Sequence, residues 1–325
     1  MKILIAEFAI GTGADRSLIP EGAAMLETLA QSFGSLGHEV YYPTAGTKIG
    51  SSGIPLKSSA ESFRAVIEKA AKECAAGLLI APDSLLSELN TLLEKYTVNL
   101  GCTPEAAACC ADKLKCTALL EKAGIATPKI VTKSEPEKSY ILKPRSGCGA
   151  EATYLVKDFE AKEGFIACEY LKGLHLSVSL IAGKNPLPLS VNRQFIEFTP
   201  QLSAKKGSKN NSKNYLENNV SSIKYNGSLT PFETPSREEL FATALAAAKT
   251  LNCSGYVGVD IVLSERPYVV DVNPRPTASL FALSRVMKEE IGALLLQNRF
   301  GKLPASVKLE GEFRFSKDRL GEIFS

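Results

Sequence analysis

Two apolar runs, GYVGVDIVL over 255–263 and PYVVDVN over 267–273, each carry one aspartate, Asp260 and Asp271, and the second run ends in Asn273, Pro274 and Arg275. Branched and aromatic residues in period-two alternation, with a short polar break between the runs, predict a β-hairpin. A two-residue turn at Glu265-Arg266 would set Asp260 directly opposite Asp271 and Gly258 opposite Asn273. Alternation then puts Val257, Val259, Ile261 and Leu263 on one face and Tyr256, Gly258, Asp260 and Val262 on the other, with Val269, Asp271 and Asn273 sharing a face of the second strand. Like charges opposed across a ladder repel, and carboxylates in an apolar sheet are costly unless something cationic compensates them. A divalent cation is the natural compensator: Mg²⁺ takes hard oxygen ligands, one or two carboxylates plus phosphate oxygens and water, and Asp260, Asp271 and Asn273 supply such a set. Without a cation, the same residues are the solvent face of an amphipathic hairpin.

Two further stretches carry chemistry. SYILKPRSGCGAEATYLV, 139–156, is a β run that delivers Lys143 into a loop interrupted by Gly147 and Gly149 before β structure returns. Glycines let backbone N–H groups approach phosphate oxygens, and a neighbouring lysine adds a point charge. No Gly-Lys-Ser/Thr follows, so this is not a Walker A loop, and a glycine-rich hairpin turn beside a lysine explains it equally. FIACEYLKGLHLSVSLIAG, 165–183, is a strand reaching Glu169, a turn at Lys172-Gly173 and a second strand on which Ser177 and Ser179 are expected to face outwards.

The elements that must position these residues alternate over the first hundred positions. Strands are expected at 2–8, 39–42, 77–81 and 97–101, and helices at 20–36, 58–75 and 83–95, which implies a parallel sheet with helices on both faces. IGTGADRSLIPEG, after the first strand, lacks the three-glycine dinucleotide spacing and is a flexible connection or a substrate loop. From Thr103 a helix pair ends at Gly124, short β segments follow, and a second lobe begins. The Ser-, Asn- and Lys-rich stretch within 195–227 is expected to be a long surface loop. Amphipathic helices are expected at 236–251 and 280–298. The whole is an α/β chain, α+β in its second part, and at 325 residues about one domain per 150 residues gives two or three lobes.

Composition narrows the function. No segment approaches the roughly 18 apolar residues of a membrane span, and the N-terminus shows no charged leader, so a cytoplasmic protein without a membrane partner is expected. A net charge of +3 is too small to argue for nucleic acid, and two histidines leave little for a His-rich metal site. The eight cysteines include no Cys-x-x-Cys pair, which supports neither zinc nor a redox dithiol.

Taken in order, ADKLKC, YILKPRSGCGA, CEYLKGLHLSVSLI, GVDIVL and VVDVNPR resemble the ATP-grasp superfamily over roughly Lys113 to Arg275. The resemblance implies an N-terminal α/β domain at 1–103, a small ATP-binding lobe at 104–173 and a larger lobe at 174–325 bearing the metal hairpin. It makes Lys113 and Lys143 the lysines that hold the ATP phosphates, with Ser146, Gly147 and Gly149 folding over them. Glu169 and the backbone of Tyr170 and Leu171 would meet adenine, and Asp260, Asp271 and Asn273 would bind one or two Mg²⁺, with Mn²⁺ a substitute. His175 stands where a ribose-binding acid is usual, and Asp271 where a longer Glu is common. Related amino-acid ligases place an arginine where this chain has Gly258, and Arg193 or Arg275 is expected to supply that charge to the reacting acid. The chemistry implied is attack of a carboxylate on the γ-phosphate, giving an acyl phosphate, then displacement of phosphate by an amine. KILIAEFAIGTG, the NRQ triplet and the compact size are similar to archaeal ATP-grasp ligases that join the γ-carboxylate of glutamate to an aromatic amine such as tyramine. Glu7 would then recognise an ammonium group or simply face solvent. A homodimer fits the class. The competing implications are a purine-pathway ligase, a carboxylase and a non-catalytic nucleotide-binding module.

Overall fold

The computed structural model describes residues 1–14, 16–50, 52–147, 152–201 and 220–324, with side chains to Leu320. Its N-terminal part runs β1 (Lys2–Glu7), α1 (Phe8–Thr12), α2 (Ile19–Ser35), β2 (Glu39–Thr44), β3 (Ile54–Lys57), α3 (Phe63–Ala71), β4 (Ala76–Ile80), α4 (Asp83–Glu94) and β5 (Val98–Asn99). The strands form a parallel sheet in the order β3-β2-β1-β4-β5. Alternation along β1 explains the covering on both faces: Ile3 and Ile5 pack toward α2, whereas Leu4 and Ala6 pack toward α3 and α4. Two elements escape the sequence reading. Helix α1 is too short for any period and exists because the Glu7 carboxylate accepts from Ile10 N while Gly13, at φ 66°, closes the other end. Strand β3 is an exposed edge that tolerates Pro55 and shows no apolar alternation.

The second part begins with α5 (Pro104–Ala111) and α6 (Lys113–Lys122). Asp112 separates them: its backbone is extended and its carboxylate accepts from Lys115 N at 3.2 Å, so one residue ends α5, caps α6 and places Lys113 in the first turn. An antiparallel sheet follows, from β6 (Ile130–Val131), β7 (Tyr140–Pro144), β8 (Tyr154–Val156), β9 (Phe165–Glu169), β10 (Leu174–Ala182), β11 (Leu187–Pro200), β12 (Val220–Thr230), β13 (Gly255–Leu263) and β14 (Pro267–Asn273). Their order is β14-β13-β10-β11-β12-β8-β7-β9-β6, so the sheet carries the short strands β6 to β9 from one edge out over the other. Helix α7 (Arg237–Thr250) backs the sheet, and α8 (Ser279–Leu283), α9 (Ile291–Phe300), β15 (Phe313–Ser316) and α10 (Lys317–Phe324) complete the chain.

Three expectations change. The loop expected over 195–227 is strand as far as Pro200 and again from Val220, with 202–219 outside the described residues. The single helix expected at 280–298 is two, because residues between them turn aside to bridge Met287 to Leu309. Ser177 and Ser179 do not face outwards: both are buried, bonded to Asn192, whose amide donates to Ser179 Oγ at 3.0 Å.

The core decides how the parts meet. Leu26, Leu29 and Phe33 of α2 share one buried cluster with Ile181, Tyr256 and Leu295, so the parallel sheet's helix lies directly on the second sheet. Behind the hairpin, Val257, Val259, Ile261 and Val272 pack on Leu240, Ala244 and Ala248 of α7. Each fully buried leucine or isoleucine contributes about 2 kcal/mol, which fixes the hairpin as a rigid platform.

Candidate active site

The hairpin register carries the site. Asp260 pairs with Asp271 and Gly258 with Asn273, as alternation required, but the connection is three residues, 264–266, with Leu263 opposite Pro267. A bulge between Asp260 and Ile261 restores the pairing by leaving Val270 unopposed. It also reverses a face assignment, since Val269 joins the α7 core with Val272 while Val270 and Asp271 line a cavity of about 170 Å³. The bulged Val270 carbonyl accepts from Lys143 Nζ at 2.9 Å, so the irregularity creates the acceptor that ties β7 to the hairpin.

Each charge on this floor has a partner. Lys113, buried in the first turn of α6, donates to both oxygens of Asp271 at 2.9 and 2.8 Å. Asp260 accepts from Gln194 Nε2 at 2.9 Å and from Asn273 Nδ2 at 3.2 Å. Arg275 Nε donates to Asp83 Oδ1 at 3.2 Å, and that acid is buried at the start of α4. Glu169 accepts from Lys129 N at 3.1 Å and borders the cavity with Tyr170, Leu171 and His175. The rings of Tyr170 and His175 both lie 6.1 Å from that of Phe198. Gly147 reaches the same wall at φ 155°, a backbone that favours glycine.

Burial sets the electrostatics. It pushes Asp260 up to about 7, helped by the Asp271 charge and opposed by the amides of Asn273 and Gln194. Burial also raises Asp271, but Lys113 and Lys143 outweigh it and hold that carboxyl below its ordinary value. Opposed carboxylates thus avoid double ionisation by splitting their proton affinities. Among the described residues no three His, Cys, Asp or Glu side chains gather as a ready cation site. Two facing carboxylates and the nearly buried Asn273 amide make a partial set of hard oxygen donors, which fits a divalent cation whose remaining ligands are phosphate and water.

Not every expected residue arrives. Arg193 pairs with Leu176, which faces the α7 core, and its guanidinium sits over Phe232 at 5.6 Å, exposed and away from the cavity. Its neighbour Gln194 takes the place, because successive strand residues point to opposite faces. Ser146 is exposed and off the cavity wall, and Gly149 lies outside the described residues. Glu7 does not face solvent: it is buried against Gly22 as the cap of α1, and burial pushes it up to about 7. With Arg275 it borders a second cavity of about 810 Å³ between the two parts of the chain, which shares Thr153 and Ile223 with the first. Sequence reasoning missed Gln194, Asp83 and the Arg145–Asp112 pair, in which Nε and Nη2 reach the carboxylate at 2.8 and 2.6 Å.

Residues 110–279 match the ATP-grasp domain family. The chain belongs to the ATP-grasp family. Every residue of the lysine and carboxylate constellation falls inside that span, whereas Glu7 and Asp83 fall outside it. The tyramine–L-glutamate ligase of Methanocaldococcus fervens is 30% identical over 335 residues, 97% of this chain and 100% of the relative. A D-alanine–D-alanine ligase of Clostridium botulinum is 29% identical over 58% of this chain and 65% of its own length. An ATP-grasp superfamily protein from Archaeoglobus fulgidus shares the fold at a TM-score of 0.76 and 27% identity, covering 96% of this chain and 91% of the other. The chain is an ATP-grasp ligase, and no helix among its described residues is long and apolar enough to cross a membrane.

Proposed function

We propose that this ligase joins glutamate, through a carboxylate, to an amine, with tyramine the first candidate, and that it consumes ATP with release of ADP and phosphate. The observation that carries the reading is the convergence of Lys113, Lys143, Asp260 and Asp271 on one cavity, with Asn273 bonded to Asp260 behind it, and a second cavity bordered by Arg275 adjoining the first. The name of the full-length relative from Methanocaldococcus supports the choice of acid and amine.

The chain's own groups act by placement and charge. Lys143 leaves the Val270 carbonyl, and Lys113 leaves Asp271, to meet phosphate oxygens. Glu169, Tyr170 and Leu171 border the adenine end, and Gly147 brings backbone close to the phosphates. Asp260, Asp271 and Asn273 would hold Mg²⁺, which when bound neutralises charge on the β- and γ-phosphates. Arg275 orients the acid so that a carboxylate oxygen attacks the γ-phosphorus as the bond to ADP breaks. The amine then forms the C–N bond at the acyl carbon, the C–O bond to phosphate breaks, and the proton shed by nitrogen leaves with phosphate. The roof strands β7 to β9 keep water from the acyl phosphate.

An ADP-release assay crossing acids with amines tests this, glutamate and tyramine first. ADP formation that needs both partners is expected. Equal ADP release without an amine defeats the ligase reading, and a bicarbonate requirement points to a carboxylase.

A further inference from the structure

The larger cavity carries charge that the nucleotide does not use. Lys317, the first residue of α10, forms an ion pair with Glu21 in the first turn of α2, and both border this cavity. The side chains are only 33% and 20% exposed, and the ammonium lies 5.4 Å from the centre of the Tyr225 ring. Neither end is loose. Ala24 of α2 and Leu320 of α10 are buried in one small core with Phe281 and Phe315, and β15 pairs Phe315 with Ser228 of β12. The cavity is also bordered by Lys224 and by three more acids, of which Glu7 already spends Oε2 on Ile10 N, Glu197 accepts from Asn226 Nδ2, and Asp318 follows Lys317 in α10. Glu21, Lys317 and Tyr225 border the same cavity as Glu7 and Arg275.

An ammonium and a carboxylate held side by side at the edge of this cavity are the inverse of the head group of an α-amino acid. We propose that Lys317 and Glu21 select an α-amino dicarboxylic acid: their ion pair opens, Lys317 takes the α-carboxylate, Glu21 takes the α-ammonium, and the distal carboxylate is left toward Arg275 for phosphorylation. This assignment rests on the ligase reading above and adds to it the two residues that recognise the α-amino acid head group. Opening the pair is offset by the two charge pairs formed in exchange. Both residues lie outside the span 110–279 that matches the family.

The test removes one charge from the protein and the matching group from the substrate. With the amine saturating, kcat/KM is measured for glutamate, for 4-aminobutyrate, which lacks the α-carboxylate, and for glutarate, which lacks the ammonium. Lys317→Met is expected to lower the glutamate to 4-aminobutyrate ratio about tenfold or more and to move the glutamate to glutarate ratio by less than about twofold. Glu21→Gln is expected to do the reverse, and Lys317→Arg to restore most of the first ratio. If both ratios shift together, or neither shifts, the pair is a strut between α2 and α10 and the assignment is overturned. Should Lys317→Met fail to fold, Glu21→Gln decides on its own ratio. A wild type that ligates other acids without preferring glutamate to its truncated forms refutes the assignment while the ligase reading stands. ADP release with no acid at all refutes the ligase reading instead.

Discussion

The floor and the roof of the smaller cavity, proposed above to take the nucleotide, are built in opposite ways. The floor, β13 and β14 with the start of α6, lies on a buried core that includes Val257, Val259, Ile261 and Val272, and its ionic groups are matched in advance: Asp271 by Lys113, Asp260 by Gln194 and Asn273, Arg275 by Asp83. The roof, β7 to β9, consists of strands of three to five residues, half-buried along most of β7 and β8. It meets the floor through Lys143 on the Val270 carbonyl and through the exposed Arg145–Asp112 pair. The difference separates two tasks. Charges that must be placed to a fraction of an ångström sit where packing locks them, and the part that must admit and cover a nucleotide sits where little packing has to be undone.

Substitutions should expose that contrast. Asp271→Asn is expected to lower the rate of ADP formation by about a thousandfold or more, since it removes both a cation ligand and the partner of Lys113, with an unchanged far-ultraviolet dichroism spectrum. Lys113→Met is expected to cost about 3 kcal/mol in urea unfolding, because it leaves the Asp271 carboxylate deep in the floor without its counter-charge. Equal losses for Lys113→Met and for its roof counterpart Lys143→Met would break the comparison. The floor's neighbour Glu7 gives a pH test. Its carboxyl rises from 4.5 to about 7 on folding, so the folded state holds the proton more tightly than the unfolded one. Its contribution is complete below the unfolded value and is lost as pH rises through about 7, a change of about 3 kcal/mol. Urea midpoints followed from acid to neutral pH should therefore fall less in Glu7→Gln than in the wild type. Lys143→Met should change stability by less than about 1 kcal/mol and raise the KM for ATP about tenfold. Gly147→Ala is the mildest, costing about 1 kcal/mol from the strained backbone, read as faster proteolysis near the roof loop.

Much of the fold was legible because local periods are legible. The alternating strands and helices of the first hundred residues, the hairpin and the facing aspartates all follow from spacing within a short segment. The facing pair was reached through two errors that cancel: a connection one residue longer than assumed and a bulge that absorbs the extra residue at Val270. Alternation supplies a period and no phase relative to neighbouring strands. Hence alternation does not tell which of Arg193 and Gln194 faces the cavity, or that Ser177 and Ser179 are covered: the pairing of β10 with β11 and β13 decides.

By itself the sequence determined the order of the motifs and the strand that carries each carboxylate, since alternation and turn chemistry act over a few residues. Tertiary structure alone decided the partners. Lys113 finds Asp271 across 158 positions, Lys143 finds Val270 across 127 and Arg275 finds Asp83 across 192. Such pairings depend on which buried faces close on one another, and the packing of α2 on the second sheet, with α10 folded back on α2, is what sets Lys317 beside Glu21 at one cavity.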